Sequence, residues 1–283
     1  MTQFGMPVLI ENETLEQNAR MCASMGLRFL ELNMSFPEYQ IECIEETDDL
    51  LRTAERAGIY YTIHLDENLD IAGFGRLVTA AWLQTVRRTI AAAKKLLPLR
   101  DAFGGGGQPM VLNMHVLHGI YVTLPDRKVR LYERGFDAYM KAYARFRILC
   151  EDWIGGSPIV ITVENTDGFS ECEKEAVSHL LESPVFGLNW DIGHSCAAGE
   201  GDQPFILAHR EKLRHFHIHD GSANPKRDHL ALGDGEIDLM NRLGLARETG
   251  ARCVLEIKTS ESLKKSLLWL EERGLRPRGT DQV

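Results

Sequence analysis

Apolar positions recur along this chain in two alternating rhythms. Short runs rich in β-branched and aromatic residues are each followed by a longer stretch in which apolar residues return every three or four positions. The short runs are PVLIE (7–11), RFLELNM (28–34), IYYTIHL (59–65), MVLNMHV (110–116), IVITVEN (159–165), VFGLNWDI (185–192), LRHFHIHD (213–220) and RCVLEIK (252–258). Helical patterns lie between them at about 14–25, 42–57, 76–97, 132–152, 171–182, 203–210, 238–249 and 261–272. Thr14 and Ser170 suit helix N-caps. Gly58 and Gly274 suit helix stops. Phe136, Tyr139 or Met140, Tyr143 and Phe146 repeat at helical spacing and predict a core-facing stripe.

Strict strand–helix alternation calls for parallel strands joined by right-handed crossovers. Eight such units in 283 residues predict one closed (β/α)8 TIM barrel, a single domain over 1–283 with 274–283 as a flexible tail. An open dinucleotide-binding sheet needs a glycine-rich turn after its first strand, and VLIENETLE has none. The GGGG at 104–107 precedes a strand and reads as a loop.

Bulk properties narrow the classes. Hydrophobic residues make up 44%, ordinary for a packed globular core. No apolar run approaches the ~18 residues that span a bilayer, and no signal peptide is visible, so a cytoplasmic protein is expected. The six cysteines form no C-x-x-C pair and read as reduced thiols. A net charge of −9 argues against a nucleic-acid partner and leaves small carbohydrate or phosphorylated substrates. Outer helices of barrels often pair, so homo-oligomerisation stays open.

The chemistry sits at the ends of the strands. His64, His115, Glu164, Asp191, His217 and Glu256 each close an otherwise apolar segment. In a barrel these ends form the face where active sites are built. A lone histidine or carboxylate there is more often hydrogen-bonded or solvated than a ligand. Six on one rim are another matter, because grouped carboxylates repel and their desolvation costs several kcal/mol per ion. A divalent cation relieves both. A mixed His, Asp and Glu set suits Zn²⁺, Mn²⁺, Fe²⁺ or Co²⁺. His194 in DIGHS and His229 in RDHLALGDG lie in loops above the strands and extend the set. By alternation His215, His217 and His219 share one strand face, with His215 deepest and structural. His219 and Asp220 are expected to contact substrate or orient a ligand. His118, His179 and His209 read as loop or helix-surface residues. DENLDIAGFGR (66–76) reads as a lid, with Arg76 solvated.

Taken in order, FLELN, TIHLDENL, LNMHVLHG, ITVENTDG, GLNWDIGHSCAAG, HFHIHDGS, DHLALGDGEID and VLEIK resemble the xylose-isomerase-like TIM-barrel superfamily over about 7–272. Endonuclease IV belongs to the same superfamily. The resemblance to its sugar isomerases and epimerases implies a quartet of Glu164, Asp191, His217 and Glu256 around one divalent metal. Glu164 and Glu256 would then transfer protons, and Glu31, His194 and His219 would face the substrate. The resemblance to endonuclease IV, the alternative, implies a multi-zinc phosphodiester hydrolase. It draws on His64, His115, Glu164, Asp191, His194, His217, His229 and Glu256, for one to three ions in all. One aspartate of that pattern falls on Arg227, and the tyrosine used for DNA insertion is missing from HLDENL. The first reading is the one expected to hold.

Overall fold

The computed structural model describes residues 2–104 and 107–275. Part of the GGGG loop and residues 276–283 of the expected tail lie outside them. Eight parallel strands close into a barrel: β1 (Phe4–Pro7), β2 (Phe29–Asn33), β3 (Tyr60–His64), β4 (Met110–His115), β5 (Ile159–Glu164), β6 (Phe186–Asp191), β7 (Leu213–Ile218) and β8 (Arg252–Leu255). Each strand pairs with its neighbour in sequence, and β1 closes the ring on β8 through Phe4↔Cys253 and Gly5↔Val254. The barrel helices are α1 (Leu15–Ser24), α2 (Thr47–Ala57), α3 (Arg76–Phe103), α4 (Phe136–Ile154), α5 (Glu171–Leu181), α6 (Gln203–Ala208), α7 (Leu239–Thr249) and α8 (Ser260–Glu272).

Local signals set most boundaries. Thr14 and Ser170 each form a reciprocal capping box, with Gln17 and Glu173. Gly58 ends α2 at φ 69°, a left-handed conformation that glycine adopts without a Cβ penalty. Tyr139, Tyr143 and Phe146 of the aromatic stripe are buried, with Phe136 and Met140 packed beside them.

Several boundaries differ from the sequence reading. The first strand is Phe4–Pro7, not 7–11, because Pro7 has no N–H to continue the ladder and Gly5 packs against Phe29 so closely that a Cβ would sit 2.5 Å from its ring. Helix α3 passes through Pro98 to Phe103, where a stop near 97 was expected. Buried Leu96, Leu99 and Arg100 carry it past the lost hydrogen bond. The segment 42–57 splits into Ile41–Ile44 and α2. Two hairpins add to the barrel on the side of the strand C-termini. One pairs Tyr121–Thr123 with Lys128–Arg130, the other Asp220–Ala223 with Lys226–Leu230.

The outer faces of the strands pack apolar side chains against the helices, while the inner layer below the rim is polar. Thr62 Oγ1 donates to Glu31 Oε2 at 2.9 Å, and Thr162 Oγ1 to Asn113 Oδ1 at 3.0 Å. Buried polar groups of this kind are tolerated because they satisfy one another. No helix among the described residues is long and apolar enough to cross a membrane.

Candidate metal centre

Strand register assembles the centre. His115 stands level with Glu164, Glu164 with Asn189, and Asp191 with His217. Residues level on adjacent parallel strands turn to the same side, so the ends of β4 to β7 deliver their ligands together. Glu256 follows the last residue of β8, and its N–H still donates to Ile218 O at 3.1 Å.

Ligand atoms of Glu164, Asp191, His217 and Glu256 lie within 4.8 Å of one another. His217 Nδ1 is the hub, 3.3 Å from Glu164 Oε2, 3.7 Å from Asp191 Oδ2 and 3.1 Å from Glu256 Oε2. Neither His217 Nδ1 nor Glu256 Oε2 has a hydrogen-bond partner, though both are buried. Orphaned buried polar atoms are rare, and here they converge on one point beside three carboxylates. That arrangement fits a divalent cation with mixed N and O ligands. The groups already balance charge as far as protons allow. Burial pushes the Glu164 carboxyl up, but His217 and His115 outweigh it and hold it well below the usual carboxylate range. Burial lowers His217, but Glu164, Glu256 and Glu31 together push it well above an ordinary histidine.

Supporting residues fix these ligands. Glu31 was expected to face the substrate. It lies instead behind His217, 2% exposed, with Oε1 2.9 Å from His217 Nε2 and Oε2 held by His215 and Thr62. The charge of that carboxylate favours the Nε2 edge of the ring on its side, with Nδ1 facing the quartet. Asn113 and Asn189 both donate to Glu164 Oε2, the latter at 3.0 Å. Asn165 locks β5 to β6 through paired bonds with the Asp191 backbone, each 2.9 Å. Asp191 Oδ1 also caps the short helix Ile192–Ala197 by accepting from His194 N at 2.7 Å.

A second group joins His64, His115 and Glu164. His64 Nδ1 lies 2.8 Å from Leu65 O, which accepts its proton, so Nε2 is the atom that faces Glu164 Oε2 at 3.5 Å. His115 Nε2 approaches Glu164 Oε1 at 3.6 Å. Both gaps are longer than a good hydrogen bond and suit a shared cation.

The third group, His194, His219 and His229, is built differently. His229 has φ 52°, a rare setting for a non-glycine residue, at an irregular place in the 220–230 hairpin. Such irregularities re-aim side chains. Asp228 accepts from His229 Nδ1 at 2.9 Å and so orients it, and Arg227 is exposed on the hairpin. His219 Nδ1 accepts from His229 N at 2.7 Å, which leaves Nε2 to donate to Asp191 Oδ1 at 3.0 Å. The His219 and His229 rings stack at 4.3 Å and 4°. In-plane lone pairs of parallel rings do not converge, so His219 serves as a hydrogen-bond donor to Asp191 more readily than as a ligand. Asp220, buried, organises the loop that carries His229 by accepting from Gly221, Gly233 and Ile237 N–H groups.

Gly193 lies against His219, and a Cβ there would be 1.9 Å from its Cε1. Gly193→Ala is therefore expected to push His219 off Asp191 and to weaken metal binding by about ten- to a hundred-fold, the usual penalty for losing an outer partner. Metal titration of the purified variant measures this; unchanged affinity would show that His219 does not steer Asp191.

The mouth above the centre is a cavity of about 370 Å³ lined by Glu67, Asn68, His115, His118, Asp167, His194 and Asp228 among others. His118, read from sequence as a loop or helix-surface residue, lies in the loop after β4, lines the cavity and pairs with buried Glu173 at 2.8 Å. The loop 66–76 contributes Glu67 and Asn68, while its Leu69 and Ile71 are anchored in the core. Arg76 lies in a separate groove beside Tyr132. Sequence reasoning passed over Asn113, Asn165 and Asn189, whose partners are distant in the chain, and Lys258, whose partner Glu256 is brought to it by a tight turn. Lys258 Nζ donates to Glu256 Oε1 at 2.8 Å.

No curated protein matches the chain. Among solved structures, a D-tagatose 3-epimerase-like protein superposes with a TM-score of 0.71 at 20% identity, covering 96% of both chains. The 3-keto-D-glucoside 4-epimerase of E. coli, in apo form, gives 0.71 at 15% identity over 96% of this chain and 100% of its own. A probable 3-DHS dehydratase from Bacillus anthracis gives 0.64 at 14%, over 95% and 99%. At these identities the likeness is one of fold. Residues 19–273 match the family model described as xylose isomerase-like TIM barrel, and the chain belongs to that family.

Proposed function

We propose that the protein is a divalent-metal-dependent sugar epimerase or isomerase. The observation that carries this reading is the pair Glu164 and Glu256. They rise three strands apart, from β5 and the end of β8, and both reach His217 Nδ1, at 3.3 and 3.1 Å. Two buried carboxylates on either side of a small site can remove a proton from a carbon and return one from the other face. Glu164, Asp191, His217 and Glu256 would hold the ion. When bound, it supplies Lewis acidity that acidifies a C–H beside a chelated carbonyl. His194, which lines the mouth, would hold a substrate hydroxyl. The fold neighbours named for D-tagatose, L-ribulose and D-allulose epimerisation support the choice of substrate class.

The test is solvent-proton exchange. Ketoses incubated with enzyme and Mn²⁺ in D₂O should take up deuterium beside the carbonyl, read by NMR. The His64, His115 and Glu164 group favours a second reading, hydrolysis of a small phosphodiester across two ions. His64→Ala separates them: it should leave epimerisation largely intact and abolish hydrolysis. Cleavage of a model phosphodiester with no ketose exchange in the wild type would replace the first reading by the second.

The mouth also bears on substrate charge. Glu67, Asp167 and Asp228 line it, and Lys226 beside it is already paired with Asp167 at 3.1 Å. A distal phosphate would meet this acidic rim. Free ketoses are therefore expected to exceed their phosphate esters in kcat/KM by about ten-fold or more, since a like-charge pair at ~4–5 Å and a surface dielectric is worth more than 1 kcal/mol. Parallel kinetics on one ketose and its terminal phosphate measure this; a preference for the ester would reverse the assignment.

A further inference from the structure

We infer that Lys258 is the positioning residue that gives the two oxygens of Glu256 separate tasks. The inference rests on the epimerase reading above. Beyond Leu255 the chain turns tightly, with Ile257 N donating to Leu255 O at 2.8 Å. Ile257 is fully buried and pins the turn. The side chains of residues 256 and 258, one on each side of it, meet. Lys258 Nζ then donates to Glu256 Oε1 at 2.8 Å. Glu256 Oε2 points the other way, 3.1 Å from His217 Nδ1 and 3.7 Å from His229 Nε2, with no hydrogen-bond partner of its own.

The exposures match this division. The Glu256 side chain is 11% exposed and that of Lys258 is 51% exposed, so the lysine holds the carboxylate from the solvent side. A carboxylate free to rotate can give both oxygens to a cation and then has no basic oxygen to offer a substrate. Lys258 occupies one lone pair of Oε1 and keeps that oxygen turned to the solvent side, away from His217 Nδ1. The second lone pair of Oε1 remains to accept a proton from a substrate carbon. The group that touches substrate is Glu256; Lys258 acts through it.

The test uses Lys258→Met and Lys258→Arg in the full chain loaded with Mn²⁺, with D-tagatose and D-allulose as probes in D₂O. Metal content by elemental analysis, kcat and KM are measured together. The expected result for Lys258→Met is a kcat for exchange reduced by about ten-fold or more, with KM within about three-fold and metal content unchanged, the pattern of an interaction that matters in the transition state. Lys258→Arg, which can still donate to Oε1, should recover most of the rate. A raised KM at unchanged kcat would overturn the inference and make Lys258 a substrate-binding residue. Loss of metal would overturn it in favour of a role in holding the centre. Equal rates in Lys258→Met and wild type would overturn it while leaving the epimerase reading intact. No exchange in the wild type would overturn that reading and this inference with it.

Discussion

Glu256→Gln should lower turnover by about a thousand-fold, within the 10²–10⁴ range ascribed to a positioned acid or base. The amide is nearly isosteric with the carboxylate and can keep the packing at the end of β8. It cannot take up a proton from carbon at neutral pH. It also removes one negative charge from the quartet and the partner of Lys258, whose ammonium lies 2.8 Å from Oε1. Exchange of solvent deuterium into a ketose, with circular dichroism and melting temperature on the same sample, separates chemistry from folding. A folded variant that keeps its rate would remove Glu256 from the proton-transfer role and with it the epimerase mechanism. A variant that loses metal as well as rate would place Glu256 chiefly among the ligands.

Divalent metal should raise the melting temperature of the metal-stripped protein by about 10 °C. Without a cation, buried Glu164, Asp191 and Glu256 crowd one another at the end of the barrel. A ligand at about 1,000 times its Kd stabilises the folded state by ~4 kcal/mol. For a chain in the upper range of single domains, each kcal/mol shifts the midpoint by roughly 2–4 °C.

The shift should also depend on pH. Burial lowers His64, but the negative charge of the neighbouring Glu164, with that of Glu31, raises it to about 9. A group whose folded value is raised contributes stability that is present below its unfolded value, near 6.5, and is lost as pH climbs through the folded one. The metal-free protein therefore weakens between about pH 6.5 and 9, as the protons standing in for a cation leave. Metal binds best once they are gone, so the stabilisation should be larger at pH 8.5 than at pH 6.5. Differential scanning fluorimetry with and without Mn²⁺ at both values measures it. A shift that is absent, or larger at the acidic end, would mean that these groups do not form a metal centre.

The barrel was legible because its information is local and repeated. A β-branched run followed by an amphipathic helix, eight times over, leaves few ways to bury both kinds of apolar face in one layer each. Capping at Thr14, Ser170 and Gly58 was legible for the same reason, since a cap involves residues three or four apart. The convergence of Glu164, Asp191, His217 and Glu256 was legible because strand ends of a barrel must meet on one rim. Other boundaries were not. The first strand lies three residues earlier than its apolar run, because pairing with β8, more than two hundred residues away, decides where it runs.

What each polar residue does around the ligands was decided only by the tertiary structure. From sequence, Glu31 is an acid in an apolar strand; in the barrel it is the partner of His217 and His215, each more than 180 residues distant in the chain. Asn113 and Asn189 read as strand residues and become donors to Glu164. His219 reads as a residue that contacts substrate or orients a ligand; the barrel makes it a donor to Asp191, because His229 N takes its other nitrogen. The sequence by itself determined which side chains arrive at the rim, since strand period and barrel closure fix that. Which nitrogen of a ring faces inward, and which carboxylate supports instead of binding, depend on hydrogen bonds a few ångströms long between segments that only the closed barrel brings together.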